Sequence, residues 1–480
     1  MHKGGVHTGS SMGAAPAHPP TPGIYGKFGR YFRNICKQFV FQRKVRIMAK
    51  IVIIGAGSGF GSRLSIDILA REALRDSTIA LCDVNEERLA GVADYVSRAI
   101  EGNGLPGKCT YSTDRRELLV GADCVVTAVS VGGAAYWGEP YASEVNIPLK
   151  YGIDQSVADT IGPGGVFRFL RTAPVHLQFC RDMEELCPEA LMLNYTNPMC
   201  MLTWAHSEAT SIENVGLCHS VQGTTRKLVQ GVGVPYEEVS YLVAGINHQA
   251  WVLRLRHKGE DLYPRLREAV DTEEVFANEQ VRVEMMKQFG YFVTESSPHN
   301  SEYLPYFRRT QELRDRFGLK TRQVAMEQTR KRGWEKDSGV EQDGEKEIPE
   351  LVRSHEYASA IIEARQTNEP FLFNGNVMNH GSINNLPSRC CVEVPCVVDG
   401  EGVHPCYVGD LPPQCAALNM TSVGVHELAV RAALDRDREA AFHAVALDPL
   451  TAAVLPLEEI RKMFDEMWEA EGDLLGYFEA

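Results

Sequence analysis

Residues 50–74 read KIVIIGAGSGFGSRLSIDILAREAL: a short apolar run, a glycine turn, then apolar spacing of helical period from about Ser58. An apolar run bounded by glycine reads as a buried strand, and the segment after it as an amphipathic helix. Gly55 and Gly57 let the backbone turn sharply and approach a pyrophosphate, whose charge then faces Ser58 and the helix N-terminus. The strict dinucleotide fingerprint wants a third glycine at 60, where Phe60 stands between Gly59 and Gly61, so the loop does not carry the assignment alone. Its context does. A second strand, STIALCDV, ends near Asp83, 22 residues after Gly61, where a carboxylate can take ribose hydroxyls and disfavours the extra phosphate of NADP. A third, ADCVVTAVSVGG, ends in small residues, which suits a chain passing close to a cofactor. These pieces predict an α/β fold: a Rossmann-like, doubly wound NAD-binding sheet over residues 49–215, followed by an α+β catalytic and oligomerisation domain over 216–480.

The 480 residues are 44% apolar and 23% charged, an ordinary globular profile, and no apolar run approaches the roughly 18 residues of a membrane span. Residues 1–48 hold eight Lys or Arg and no acidic residue; they are rich in Gly, Pro and Ser at the start and read as a disordered basic extension. Without them 41 basic residues face 63 acidic ones, a balance of −22 that disfavours nucleic acid and anionic membranes as partners. Thirteen cysteines in so long a chain point to reduced thiols and a cytoplasmic setting.

In PEALMLNYTNPMCMLTWA the proline halts a strand and starts a helix, which puts Asn197 at the carboxyl edge of the sheet, where open α/β folds bind ligands. NVGLCHS repeats the pattern and delivers Cys218 and His219 to the same edge. Neighbouring side chains on an extended segment point to opposite faces, so Cys218 pairs better with the later His248 as metal ligands, and His219 is left for proton transfer near neutral pH. Two ligands are not the closed four-ligand pattern of structural zinc. A buried structural cysteine and a satisfied core histidine are the plainer alternative.

The strings IVIIGAGS, DTIGPGGVFRFLRT, NYTNPM, GLCHSVQGT, AGINH, GYFVTESS, NLPSRCCVEVPC and DPLTAAVL, in this order from about residue 50 to the end, resemble family 4 of the glycoside hydrolases, its α-galactosidase (melibiase) branch most closely. The extension before Met48 lies outside the resemblance. The resemblance implies a hydrolase that needs bound NAD and a divalent ion, commonly Mn²⁺, outside the usual two-carboxylate scheme. It implies oxidation of the sugar at C3, which acidifies the C2 proton, then removal of that proton, departure of the glycosidic oxygen from C1, addition of water and reduction at C3. A metal gripping the C2 and C3 oxygens would stabilise the charge that develops. Carried over by motif, Cys218 and His248 hold the metal, Asn197 and Asp159 bind sugar hydroxyls, and His219 is the acid for the leaving oxygen. For the base the resemblance points to GYFVTESSPHNSEYLPYF, where EYLPYF is similar to the tyrosine-bearing version and selects Tyr303; Glu295, His299 and Glu302 are the alternatives, with a core tyrosine as the plain reading.

Elsewhere, TRQVAMEQTRKRGWEKDSGVEQDGEKEIPE reads as an exposed helix and linker. RCCVEVPCVVDGEGVHPCYVG reads as strands whose cysteines belong to a β core rather than to zinc, and the last sixty residues as helices packed on the sheet or on a second subunit. A homo-oligomer, dimer or tetramer, acting on a small α-glycoside is expected. The competing readings are an α-galacturonidase or other α-glycosidase of the same family, an NAD-dependent dehydrogenase of the malate or lactate kind, and a non-catalytic sensor.

Overall fold

The computed structural model describes residues 48–132, 138–322 and 347–479. The expected extension over 1–48, all but Met48, and most of the charged linker lie outside the described residues. The glycine turn of the opening motif falls between strand β1, Lys50–Ile54, and the helix Gly59–Leu69. β1 pairs in parallel with β2, Thr78–Cys82, and with β4, Cys124–Thr127. Adding β3 (Lys108–Ser112), β5 (Leu191–Asn194) and β6 (Asn214–Gly216) completes a parallel half in the order β3-β2-β1-β4-β5-β6, the doubly wound arrangement of dinucleotide-binding folds.

The sheet does not stop there. β6 continues antiparallel into β10 (Phe371–Met378), then β11 (Cys391–Asp399) and the hairpin of β7 (Val239–Ile246) and β8 (Gln249–His257). The short β9 (Glu260–Asp261) closes that edge, and β12 (Gly402–Pro405) pairs with β11. The boundary expected at 215/216 therefore falls within a sheet that, among the described residues, is continuous over twelve strands. Cys390, Cys391 and Cys396 are buried in its core, and Cys406 is half-buried beside them. The helices Pro413–Asp435 and Arg438–Leu447 pack on each other and on the long buried helix Gly162–Leu186. Among the described residues no helix is long and apolar enough to cross a membrane.

The fingerprint's missing third glycine has a structural answer. A side chain at Gly61 would place its Cβ 2.3 Å from the Ala56 carbonyl oxygen, so Gly61, one position late, allows the close helix–strand packing that the third glycine usually supplies. Gly55 is in the left-handed region at φ +89°, and its Cβ would lie 2.2 Å from the Ala128 carbonyl oxygen. Neither position admits another residue without moving backbone.

Candidate active site

The carboxyl ends of the parallel strands open into a cavity of about 1900 Å³. At one end it is lined by Gly55, Gly57, Ser58 and Asp83. The Gly57 N–H donates to Asp83 Oδ2 at 2.8 Å, which ties the loop to the end of β2. Ser58 caps the helix by position but makes no capping bond with its side chain, and Gly59 and Phe60 of the first turn line the cavity with amides that can serve an anion. These residues fit a dinucleotide: the main chain comes close, a helix N-terminus points inward and one carboxylate lies at the expected distance along the chain.

The other end gathers residues far apart in sequence. Cys218 and His219 follow β6 in a turn rather than in extended strand, and they diverge: the Cys218 side chain is buried while that of His219 is 74% exposed. His248 stands in the tight turn between β7 and β8 with left-handed backbone, φ +62°. Its Nε2 lies 3.4 Å from Cys218 Sγ and 3.5 Å from Glu295 Oε2. Glu295 is likewise left-handed, φ +73°, beyond a segment clipped to β8 by the Thr294 N–H donating to the Ala250 carbonyl at 2.8 Å. One donor atom each from Cys218, His248 and Glu295 lies within 4.8 Å of the other two, the one such group among the described residues.

The electrostatics suit a cation. Burial, reinforced by the charges of Glu393 and Glu295, pushes the Cys218 thiol well above its usual range, an effect that a bound divalent ion reverses. Burial also pushes the His248 imidazole down to about 4, so it stays neutral and able to ligate. Burial opposes ionisation of Glu295, but its histidine neighbours, His248 and His299, outweigh it and hold its carboxyl below the usual carboxylate range. The donor set of a thiolate, an imidazole and a carboxylate therefore fits a divalent metal.

Asp159 faces this group across His299. Its Oδ2 accepts from Asn197 Nδ2 at 3.0 Å, and its Oδ1 lies 3.2 Å from His299 Nε2. Burial opposes ionisation of Asp159 as well, yet the hydrogen bond and charge of His299 keep its carboxyl low. Asp159 and Asn197 both line the cavity.

Two of the expected base candidates do not line the cavity, although the Tyr303 ring packs 5.9 Å from that of His299. The Tyr303 hydroxyl is buried, donates to Thr160 Oγ1 at 2.9 Å and is not among the groups lining the cavity; burial pushes the phenol well above its usual range. Glu302 is a clamp: its carboxylate accepts the N–H groups of Ser156, Val157 and Ala158 and so shapes the turn that presents Asp159. Glu295 and His299 do line the cavity. Sequence reasoning missed Arg168, whose guanidinium sits over the Tyr141 ring at 4.8 Å and lines the cavity near Asp159. The signal was there: arginines in the apolar run VFRFLRT of a buried helix need a reason.

This geometry can be set beside known proteins. The sequence profile of the family 4 glycosyl hydrolases matches residues 50–234, and that of the family 4 glycosyl hydrolase C-terminal domain matches residues 243–451. The chain belongs to family 4 of the glycosyl hydrolases. It is a glycosidase, and the dehydrogenase reading is set aside, since the family match runs through both halves of the sheet. An α-galactosidase of Bacillus subtilis is 42% identical over 439 residues, covering 89% of this chain and 99% of that relative. An α-galactosidase of Rhizobium meliloti is 39% identical, covering 89% of each. An α-galacturonidase of Thermoanaerobacterium saccharolyticum is 31% identical, covering 87% of this chain and 95% of the relative. Among solved family 4 structures, a 6-phospho-β-glucosidase of Thermotoga maritima with manganese, NAD⁺ and glucose-6-phosphate shares the fold at a TM-score of 0.73 and 23% identity, covering 88% of this chain and 98% of that one.

Proposed function

We propose that this family 4 enzyme hydrolyses α-galactosides with NAD and a divalent metal, Mn²⁺ by preference, as cofactors. The observation that carries the reading is that a dinucleotide loop and a cluster of cation donors line one cavity, which Asp159, Asn197 and His219 line as well. The α-galactosidases at 42% and 39% identity favour a galactoside over the galacturonide of the 31% relative. When bound, NAD supplies a hydride acceptor for the sugar C3, and the metal supplies an electrophile for the C2 and C3 oxygens.

The chain's own residues do the rest. Gly55, Gly57, Ser58 and Asp83 hold the dinucleotide, and Cys218 and His248 hold the metal. Asp159 and Asn197, already bonded to each other, form a polar edge for sugar hydroxyls. His219 gives its proton to the departing oxygen, with Glu356 Oε1 at 3.8 Å on the Nδ1 side and Nε2 left for the leaving group. Tyr303 is not assigned the C2 proton, because its hydroxyl is committed to Thr160. The described cysteines are all free thiols, in keeping with a reducing, cytoplasmic setting.

A panel of aryl α-glycosides, assayed with NAD and Mn²⁺ under reducing conditions, tests the substrate. Release from the α-galactoside, dependent on NAD and with no lasting NADH absorbance, is expected. Hydrolysis in D₂O tests the route: proton removal at C2 leaves deuterium there in the product, whereas direct displacement at C1 leaves none and would sink the elimination mechanism.

A further inference from the structure

A thiolate and an imidazole suit zinc at least as well as manganese; neither is the hard oxygen ligand that manganese favours. The third donor resolves this mismatch. We propose that Glu295 is a direct protein ligand of the cation, completing a Cys218–His248–Glu295 set, and that its carboxylate tilts the site toward Mn²⁺. The inference rests on the metal-dependent reading above.

Three features carry it. The first is spacing. Glu295 Oε2 and Cys218 Sγ lie 3.5 and 3.4 Å from the same His248 Nε2. Bonds of about 2.0–2.3 Å to one ion at a tetrahedral angle put neighbouring ligand atoms roughly 3–4 Å apart, which both distances meet, and the remaining Cys218–Glu295 pair lies within 4.8 Å. The second is backbone conformation. Glu295 and His248 are both left-handed, at φ +73° and +62°. Residues other than glycine hold that conformation only where their surroundings over-determine it, and such positions gather at functional sites. Here two strained residues from different segments aim at one point. The third is the outer layer. The other oxygen of Glu295 faces His299 Nδ1 at 3.7 Å, and His299 in turn faces Asp159 at 3.2 Å. A ligand carboxylate with a polar partner behind it is the usual outer layer of a metal site, and His299 stands in that place at ion-pair distance. A C2 base would be expected to face the sugar, whereas Glu295 turns an oxygen toward the other two donors.

The test uses the full-length protein stripped by chelation, with Mn²⁺ binding followed by electron paramagnetic resonance and Zn²⁺ binding by calorimetry. Glu295→Gln should lower Mn²⁺ affinity by more than the roughly 10–100-fold that loss of an outer-layer partner costs. Zn²⁺ affinity should fall much less, so the preference swings toward zinc, while NAD binding holds. Glu295→Asn supplies a second variant, because asparagine tolerates left-handed backbone. Its metal-free Tm should be no lower than that of the wild type, with the same loss of Mn²⁺. If Glu295→Gln binds Mn²⁺ like the wild type and only turnover falls, Glu295 is a base and the proposal is overturned. Equal losses for Mn²⁺ and Zn²⁺ overturn its role in metal preference. A wild type that binds Mn²⁺ through Glu295 yet cleaves no α-galactoside overturns the substrate assignment and supports this one.

Discussion

The two ends of the cavity are built on different principles. The nucleotide end is contiguous, set out between Lys50 and Asp83, and works largely with main chain: two glycines, a helix N-terminus and one carboxylate tied to a backbone amide. The metal end draws Asp159, Asn197, Cys218, His248, Glu295 and His299 from separate segments and works with ionisable side chains. Its carboxylates, Asp159 and Glu295, stay ionised against burial beside His299, whereas burial keeps His248 neutral. Main-chain recognition needs a conformation, which sequence specifies locally. Side-chain constellations need a topology.

If that contrast is right, damage at one end should leave the other intact. The largest effect belongs to Cys218→Ser and His248→Ala, which should abolish turnover and Mn²⁺ binding while NAD still binds; loss of NAD binding as well would break the separation. Asp83→Ala should do the reverse. Removing a charged hydrogen-bond partner costs about 1.5–3 kcal/mol, roughly ten- to a hundredfold in NAD affinity, with Mn²⁺ affinity unchanged by titration.

Asp448, outside the cavity, is a buried carboxylate whose ionisation burial opposes, and it gives a comparison for the metal end. It is wholly buried, its Oδ2 accepts from the Thr451 N–H at 2.8 Å, and burial, with Glu302 contributing, pushes its carboxyl up to about 6. The folded state thus binds a proton that the unfolded chain, at 3.8, releases earlier. Stability from this group is present below pH ~4 and is lost as pH rises through ~6, about 3 kcal/mol in all. Urea unfolding at pH ~4 and ~7 should show Asp448→Asn gaining on the wild type by about that amount at the higher pH. A pH-independent difference would mean that Asp448 ionises normally. The smallest effect is expected for Tyr303→Phe. Loss of one neutral hydrogen bond, about 1 kcal/mol, should lower kcat less than tenfold; a drop of about 10²–10⁴-fold would restore the tyrosine as general base.

Much of the doubly wound half was legible because β1, β2, β4, β5 and β6 announce themselves as short apolar runs; β3, Lys108–Ser112, has no such run and was not read. Even the fingerprint's flaw at Phe60 left a readable substitute in Gly61. The metal end was legible only as far as chemistry-bearing residues stand beside strand ends, as Asn197 and Cys218 do. That His248 and Glu295 meet Cys218 depends on a hairpin turn and a clipped segment that hydrophobic period does not encode. Glu302 and Tyr303 show the converse. Both have the right chemistry for a base, and only packing reveals that one clamps a turn and the other is sealed behind Thr160. The continuation of the sheet across residue 216 was also hidden, because the antiparallel partner of β6 lies some 160 residues downstream.

That seam sets a rule for recombining this protein with its relatives. Gly216 of β6 pairs with Asn376 of β10; the Asn376 side-chain amide donates to the Gly216 carbonyl at 3.3 Å, and a Cβ at 216 would lie 2.7 Å from both Met199 and Thr203. A chimera that takes its nucleotide half from one parent and its sugar half from another would part this couple without cutting any loop that looks structural. The crossover would set a β6 from one parent against a β10 from the other, and a side chain arriving at 216 would clash at the seam. Inheritance here is by strand couple. Positions 199, 203, 216 and 376 have to travel together, whatever the domain map suggests.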